Sequence, residues 1–540
     1  MQKKWWKEAV MYQVYPRSFK DSNGDGIGDL PGILEKVDHL VELGIDIVWL
    51  GPIYDSPNDD NGYDIRDYYK IHSEFGTMED FDLLLKTLHF RGIKLIMDLV
   101  VNHTSDEHEW FMEARKSKDN PYRDYYHWTD EPNNYISYFG GSAWEQTEET
   151  GSYYLHLFTK KQPDLNWSNP KVRKEVYEIM KFWLDKGVDG FRMDVISLIA
   201  KPEVFKNSPS TDLKFLIENH YANGPGIHEY LQEMYREVLQ FYDVMTVGEG
   251  PGITKAHALN YVSSDRNELN MIFQLDLMFM DFGPMGKFDY RPFTFQDFKR
   301  CWMEWDMAMK DNGWNNIFLD NHDFPRMVSR FGNDSLFRIE SAKLLAMLLL
   351  TFRGTPCIYQ GSEMGMTNVA FSSLDDYDDV EIHNFKREHI PGDRISEAEF
   401  LKIVHRQARD NARTPVQWDD SENAGFTEGE PWIKVNPNYK EVNLDTSREI
   451  FDFYKRLISF RKSYTDLVYA DLEVYDVEHP QIFFYRRGIY FTILNMSDKV
   501  ILKYRHGIDS GIVLMSTHNR KGFPQNNIDL NPWEGILIKN

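Results

Sequence analysis

Gly190-Phe191-Arg192-Met193-Asp194-Val195 mixes apolar residues with one cation and one carboxylate, directly after a helix-like stretch. The run reads as a strand that ends in chemistry. Residues two apart in a strand share a face, so Arg192 and Asp194 point the same way. An arginine beside a carboxylate favours its ionised form. An ionised, positioned aspartate at a strand's C-terminal end is what a nucleophile needs. A buried ion pair that only supports the fold is the plain alternative. Other apolar runs end in similar residues: Asp98, Asn102 and His103 after one, Glu249 after a second, Asn321-His322-Asp323 after a third. Two carboxylates across a pocket are the minimum for glycoside hydrolysis. Spacing along the chain chooses neither inverting nor retaining chemistry, and leaves other carboxylate-based reactions open.

A second chemistry-bearing stretch is Asp21-Ser22-Asn23-Gly24-Asp25-Gly26-Ile27-Gly28-Asp29. Oxygen-bearing residues alternate with small ones, which lets a loop curl around a hard cation. Asp21, Asn23, Asp25 and Asp29 offer side-chain oxygens and Ile27 a backbone carbonyl. Position twelve is Gly32, which has no carboxylate, so the loop is not an EF-hand. A Gly/Asp turn without metal is the alternative; four oxygen side chains at alternate positions favour the cation.

The elements that must hold these groups alternate. Leu30 to Leu43, Met78 to Arg91, Lys171 to Lys186, His228 to Phe241 and Ser341 to Phe352 have helical patterning. Between them, Val10 to Pro16, Ile47 to Ile53, Lys94 to Val101, Gly190 to Val195, Val244 to Glu249, Met271 to Asp276, Asn315 to Asp323 and Pro356 to Gly361 read as strands. The strands are nearly continuous apolar runs, as in a parallel sheet covered on both faces. The spacing predicts a (β/α)₈ barrel, with catalytic groups at the C-terminal strand ends. Residues 104–164 are rich in Asp, Glu, Tyr, Trp, Gly and Asn and read as a subdomain inserted after the third strand. A polar stretch from Ser362 to about Asn443, with one helical piece near Glu397 to Arg409, reads as a long loop over the barrel mouth. Short β-rich runs from about Val468 onward predict an antiparallel C-terminal β-sandwich. The expected division is a barrel over 1–103 and 165–465, the insertion at 104–164, and the C-terminal domain at 466–540.

The 540 residues are too many for one ordinary domain. A net charge of −24 argues against nucleic acid and anionic membrane surfaces as partners. Aromatic residues make up 15% of the chain, and aromatic faces also serve as platforms for sugar rings. Cys301 and Cys357 fall in elements read as buried, which suggests neither a disulfide framework nor a metal cluster. No apolar run has the length of a signal peptide or a membrane span, so a cytoplasmic location is expected.

Asp98 to His103 (DLVVNH), Gly190 to Val195 (GFRMDV), Val247 to Glu249 (VGE) and Asn321 to Asp323 (NHD) resemble the four signature segments of the α-amylase family of glycoside hydrolases, in the family's order. Gln162 to Trp167 (QPDLNW), Asp60 to Asp64 (DNGYD) and Asp410 to Pro415 (DNARTP) narrow the resemblance to the oligo-1,6-glucosidase, dextran glucosidase and α-glucosidase branch. The resemblance implies a retaining double displacement. Asp194 matches the nucleophile, Glu249 the acid/base, and Asp323 the carboxylate that holds sugar hydroxyls. Asp60, Tyr63, His103, Arg192, His322 and Arg413 match residues around the terminal glucose. The Asp21, Asn23, Asp25, Ile27 and Asp29 loop matches a structural calcium or magnesium site. Val195 matches members that cleave α-1,6 links, whereas Phe324 stands where Gln or Asn is expected and adds an aromatic wall on the acceptor side. The arginine-rich loop associated with sucrose isomerases is absent between Leu275 and Pro292. The expected activity is therefore removal of terminal glucose from short α-1,6-linked oligosaccharides by a monomer. The alternatives are the same chemistry on maltose or sucrose and, more remotely, a non-catalytic transporter-subunit-like relative.

Overall fold

The computed structural model describes residues 3–284, 286–390, 395–522 and 527–540. Eight strands close into a parallel barrel: β1 (Met11–Val14), β2 (Ile47–Leu50), β3 (Lys94–Leu99), β4 (Gly190–Met193), β5 (Met245–Glu249), β6 (Met271–Phe273), β7 (Asn315–Ile317) and β8 (Thr355–Tyr359). Each strand pairs with its sequence neighbours, and β1 closes the ring on β8. The strands are shorter than their apolar runs because they end where the chain turns outward over the barrel mouth. Strand β4 stops at Met193 and β7 at Ile317, so Asp194 and Asp323 sit on the loops just beyond rather than on the strands.

Register decides which side chains meet. Asp98 on β3 pairs with Arg192 on β4, and Arg192 with Val247 on β5. The glycine opening β4 is needed for close approach: Gly190 has φ 145°, and a Cβ there would lie 1.9 Å from the Met245 carbonyl oxygen.

The helix before β4 spans Pro170–Lys186. Asn169 caps its N-terminus by accepting from the Lys171 N–H, a proline opens it, and left-handed Gly187 ends it. Its apolar stripe, including Val176, Ile179, Met180 and Trp183, is buried against the sheet. Each such side chain contributes about 1.5–3 kcal/mol. The expected helix from Leu30 to Leu43 is two helices, Leu30–Glu35 and Val37–Leu43, with a non-helical residue at Lys36.

Between β3 and β4 lies a three-stranded antiparallel sheet of Trp128–Thr129, Tyr153–Leu155 and Trp144–Gln146. After β8 the long stretch contains a helix that the sequence reading omitted, Val380–His389, besides the expected one, which runs Glu397–Gln407. The C-terminal part is a five-stranded antiparallel sheet, with Tyr490–Asn495 at its centre, facing a two-stranded sheet of Ile501–Arg505 and Asn527–Leu530. Phe484, Ile493 and Ile536 from the larger sheet pack with Tyr504, Ile528 and Leu530 from the smaller. Among the described residues no helix is long and apolar enough to cross a membrane.

Candidate active site

A cavity of about 910 Å³ opens at the C-terminal end of the barrel. Asp60, Tyr63, His103, Asp194, Val195, Glu249, Asp323 and Phe324 line it. Arg192, His322 and Arg413 stand one layer behind, each almost fully buried and bonded to a lining group.

Arg192 is the centre of the carboxyl cluster. One terminal nitrogen meets Asp98 at 2.7 Å and Asp194 at 2.5 Å, and the other meets Glu249 at 2.7 Å. Trp49 donates its indole N–H to the far oxygen of Asp98 at 2.8 Å, and the Arg192 guanidinium lies 5.1 Å from the Trp49 ring. The parity argument for Arg192 and Asp194 therefore holds, although Asp194 lies one residue past the strand. Val195, next in the chain, has φ 35° and ψ 40°, a left-handed conformation unusual for a β-branched residue. It directs the Val195 N–H at Glu249, 3.2 Å away. Such a conformation costs on the order of 1–3 kcal/mol, which the surrounding packing must offset.

Arg192 does not by itself settle the ionisation of Asp194. Burial pushes Asp194 well above the usual carboxylate range; Arg192 opposes this, while Glu249 and Asp98 reinforce it. Glu249 is likewise raised, first by burial, with Arg192 opposing and Asp323 adding to the rise. Asp98 is pushed up to about 6 by burial in spite of Arg192. Three carboxylates around one guanidinium would carry two net negative charges if all ionised. That repulsion adds to burial in raising both Asp194 and Glu249, and it favours one proton shared by the pair.

Asp323 behaves oppositely. Burial would raise it, but the Arg413 and Arg409 guanidiniums, joined by His322 where that ring is protonated, outweigh burial and hold it well below the usual range. Arg413 donates to Asp323 at 2.9 Å and to the His322 carbonyl at 2.9 Å. His322 is wedged between rings: Tyr63 lies parallel at 5.3 Å and Tyr15 at 5.6 Å. Gln13 meets its Nδ1 at 2.7 Å, which leaves Nε2 facing the Tyr63 hydroxyl at 2.8 Å and Asp323 at 3.2 Å. Burial lowers His322 to about 3 and His103 to about 4, so both imidazoles are neutral at neutral pH. Gln162 joins His103 to Asp60, at 3.2 Å from each.

Several groups were absent from the sequence reading. Arg409 lies 3.4 Å from Asp60 and 3.6 Å from Asp323, and is itself held by Asp379 at 2.6 Å. Lys287 pairs with Glu381 at 2.5 Å on the cavity wall. Phe279 and Phe282 also line it. Arg409 directly precedes the Asp410 to Pro415 segment, a signal within reach; Asp379 and Glu381 depend on the unexpected helix and had none.

The Asp21 to Asp29 loop lies outside the cavity lining. It is a chain of turns in which Asp21 accepts from Asn23 N–H, Asn23 from Asp25 N–H, and Asp25 from Ile27 N–H, each at 2.9 Å. Asp29 caps the Leu30–Glu35 helix by accepting from Gly32 N–H at 2.6 Å. Among the described residues no group of three or more His, Cys, Asp or Glu is gathered so as to hold a metal ion. The turns do leave a mixed set of Asp, Asn and carbonyl oxygens of the type hard cations take.

The α-amylase catalytic-domain family matches residues 13–470. The chain is 53% identical to an oligo-1,6-glucosidase of Parageobacillus thermoglucosidasius, over all of this chain and 99% of the relative. It is 52% identical to an oligo-1,6-glucosidase of Bacillus cereus, over the full length of both. Among solved structures, the trehalulose synthase of Pseudomonas mesoacidophila MX-45 superposes with a TM-score of 0.96 at 45% identity, over the full length of both chains. The barrel, the strand-end carboxyls around Arg192 and these likenesses agree: the chain belongs to the α-amylase family of glycoside hydrolases.

Proposed function

We propose that the protein is a retaining, exo-acting α-glucosidase that removes terminal glucose from short α-1,6-linked oligosaccharides such as isomaltose and panose. The observation that carries this is the Asp194–Glu249 pair on one guanidinium, at the foot of a cavity whose inner end is braced shut by Asp60, Arg409, Asp323 and Arg413. A closed inner end accepts chain termini, which is the physical basis of exo action. The shared guanidinium keeps the two carboxyls close. That favours the ~5–5.5 Å spacing of retaining enzymes over the ~6.5–9.5 Å of inverting ones.

In the first step Asp194 attacks the anomeric carbon as a carboxylate. The proton of the pair, on Glu249, passes to the glycosidic oxygen as its bond to that carbon breaks. In the second, Glu249 as carboxylate takes a proton from water, whose oxygen bonds to the anomeric carbon and releases Asp194. Arg192 supports the carboxylate form of Asp194 while the positive charge develops on the sugar ring. Asp323, kept ionised, and the neutral His103 and His322 hold sugar hydroxyls, together with Asp60 and Arg413. Tyr63 offers the ring face. Val195 and Phe324 shape the aglycone side. The oligo-1,6-glucosidase names of the relatives support the α-1,6 preference.

A second reading, action on sucrose, draws on the likeness to a solved trehalulose synthase mutant in complex with the substrate sucrose. The stretch from Leu275 to Pro292 weighs against it, since its cations are only Lys287, paired with Glu381, and Arg291, facing Asp289. A phosphorylated sugar is disfavoured because the cavity lysines already face carboxylates: Lys214 Glu218, Lys255 Asp276 and Glu304, Lys287 Glu381. The Asp21, Asn23, Asp25, Ile27 and Asp29 oxygens would hold a structural calcium or magnesium ion that joins the loop to the barrel and takes no part in the reaction. A monomer in the cytoplasm completes the proposal.

The test is glucose release from isomaltose, maltose and sucrose side by side, for the wild type and Asp194→Ala. Isomaltose is expected to be fastest, and the variant to lose at least about 10⁴-fold in kcat. Faster cleavage of maltose or sucrose would move the assignment within the branch, and an active variant would remove the nucleophile.

A further inference from the structure

Phe279, Phe282 and Phe324 converge on the outer wall of the cavity, the first two from the stretch after β6 and the third directly after Asp323. Their ring centroids lie 5.1, 6.2 and 6.4 Å apart, all within the range of attractive aromatic pairs. Phe324 is buried, while Phe279 and Phe282 are half-buried. Ile253, Leu275 and Met280 continue the apolar lining.

The wall is braced from behind. The Arg330 guanidinium lies 5.7 Å from the Phe324 ring. It is fixed by a 2.6 Å ion pair with Asp281, both side chains 2% exposed, and by a 2.6 Å bond to the Met278 carbonyl. Gln407 donates to the same Asp281 at 2.9 Å. Arg330 is thus committed to its partners behind the ring, and the face turned to the cavity stays apolar. Beside the residue that holds the sugar hydroxyls, this surface suits a flat apolar group better than it suits water.

We propose that the Phe279–Phe282–Phe324 wall is an acceptor subsite for aryl and benzylic alcohols, so that glucose is transferred to them in preference to small polar alcohols. The inference rests on the glucosyl–Asp194 intermediate of the proposed function. The acceptor oxygen bonds to the anomeric carbon, the bond to Asp194 breaks and returns its electron pair to the carboxylate, and the acceptor's proton goes to Glu249. No oxidant or further reactant is required.

The experiment gives the wild type isomaltose as donor, with benzyl alcohol and 1,2-propanediol competing at equal concentration, and reads the ratio of the two glucosides. Both acceptors draw on one intermediate, so slower formation of that intermediate cancels from the ratio. The expected wild-type ratio is about 10 or more in favour of benzyl alcohol, with Phe279→Ala and Phe282→Ala each lowering it several-fold, roughly what one aromatic contact supplies. Phe282→Leu, which keeps apolar bulk without the ring, falls between. A wild-type ratio near one, or one that the alanine variants leave unchanged, overturns the subsite. If isomaltose yields no glucose, p-nitrophenyl α-glucoside replaces it as donor and the ratio decides the subsite as before. If neither donor is cleaved, the proposed function fails and the subsite with it.

Discussion

The two ends of the cavity are held by different physics. At the inner end polar side chains are tied to one another: Arg409 to Asp60, Asp323 and Asp379, Arg413 to Asp323, His322 to Gln13 and Tyr63. Removing one partner leaves a buried charge or donor exposed to nothing, at a cost of about 3–5 kcal/mol. The outer end is an apolar wall of Val195, Phe279, Phe282 and Phe324 carried on loops. Exchanging one apolar contact there is worth only about 1–3 kcal/mol. On the proposed function, the inner end is therefore fixed to one terminal sugar, while the outer end can change its aglycone without disturbing the chemistry.

Glu249→Gln tests the boundary between the two ends and carries the largest effect. Isomaltose cleavage is expected to fall by about 10²–10⁴-fold. p-Nitrophenyl α-glucoside, whose leaving group needs little protonation, should lose much less in the glycosylation step. The pH profile sharpens the assignment. In the proposed mechanism, activity needs one proton on the Asp194–Glu249 pair. At low pH both are protonated and attack stops; at high pH both are ionised and the leaving group receives no proton. Because both are raised, the wild-type bell should lie above the ordinary carboxylate range. In Glu249→Gln the alkaline limb should vanish. The acid limb should stay near its place, since Glu249 is already protonated where Asp194 titrates. An alkaline limb that persists would take the acid role from Glu249.

Arg413→Lys probes the inner end alone. A lysine keeps the charge but not the fork that serves Asp323 and the His322 carbonyl together. A loss of about 10–100-fold in kcat/KM is expected, equal for isomaltose and maltose because both present the same terminal glucose. Unequal losses would mean that the inner end also reads the linkage.

How much of this was legible in the sequence follows from the same division. The runs that lead to the barrel mouth were readable because they stop at charged residues, although β7 itself ends at Ile317, and parity placed Arg192 beside Asp194. Register then supplied Asp98, which faces Arg192 across one strand pair. The Arg409–Asp60 contact joins residues 349 apart and leaves no local periodicity to read. Val195 was noticed for its side chain, whereas its left-handed backbone, which aims an N–H at Glu249, is invisible in residue type. Phe324 was legible as a single aromatic residue. Its two partners come from a stretch with neither helical nor strand patterning, where tertiary packing alone decides what meets.

Val195→Thr addresses the outer end. Threonine keeps the β-branch and nearly the volume, so the local backbone is retained while a hydroxyl enters the aglycone side. The ratio of kcat/KM for isomaltose over maltose is expected to fall by about tenfold, with the terminal-glucose contacts intact. A ratio that does not move would place linkage selection elsewhere on the wall, with Phe324 the next residue to exchange.

The cation loop belongs to neither end, which makes it the control for the comparison. Its oxygens lie off the cavity lining, and Asp29 engages the barrel only through the cap of the Leu30–Glu35 helix. If the loop takes a cation, binding to the folded state alone raises its stability by mass action. Calcium added to chelator-treated protein should then raise Tm by a few degrees. The isomaltose-to-maltose ratio and KM at 25 °C should stay unchanged. Asp25→Ala, which removes one donor and no capping bond, should abolish the Tm response. A calcium-dependent KM would tie the loop to the pocket. A Tm that ignores calcium in the wild type would leave the Asp21 to Asp29 turns held by the hydrogen bonds they already make, among themselves and to Phe426, Thr427 and Trp432.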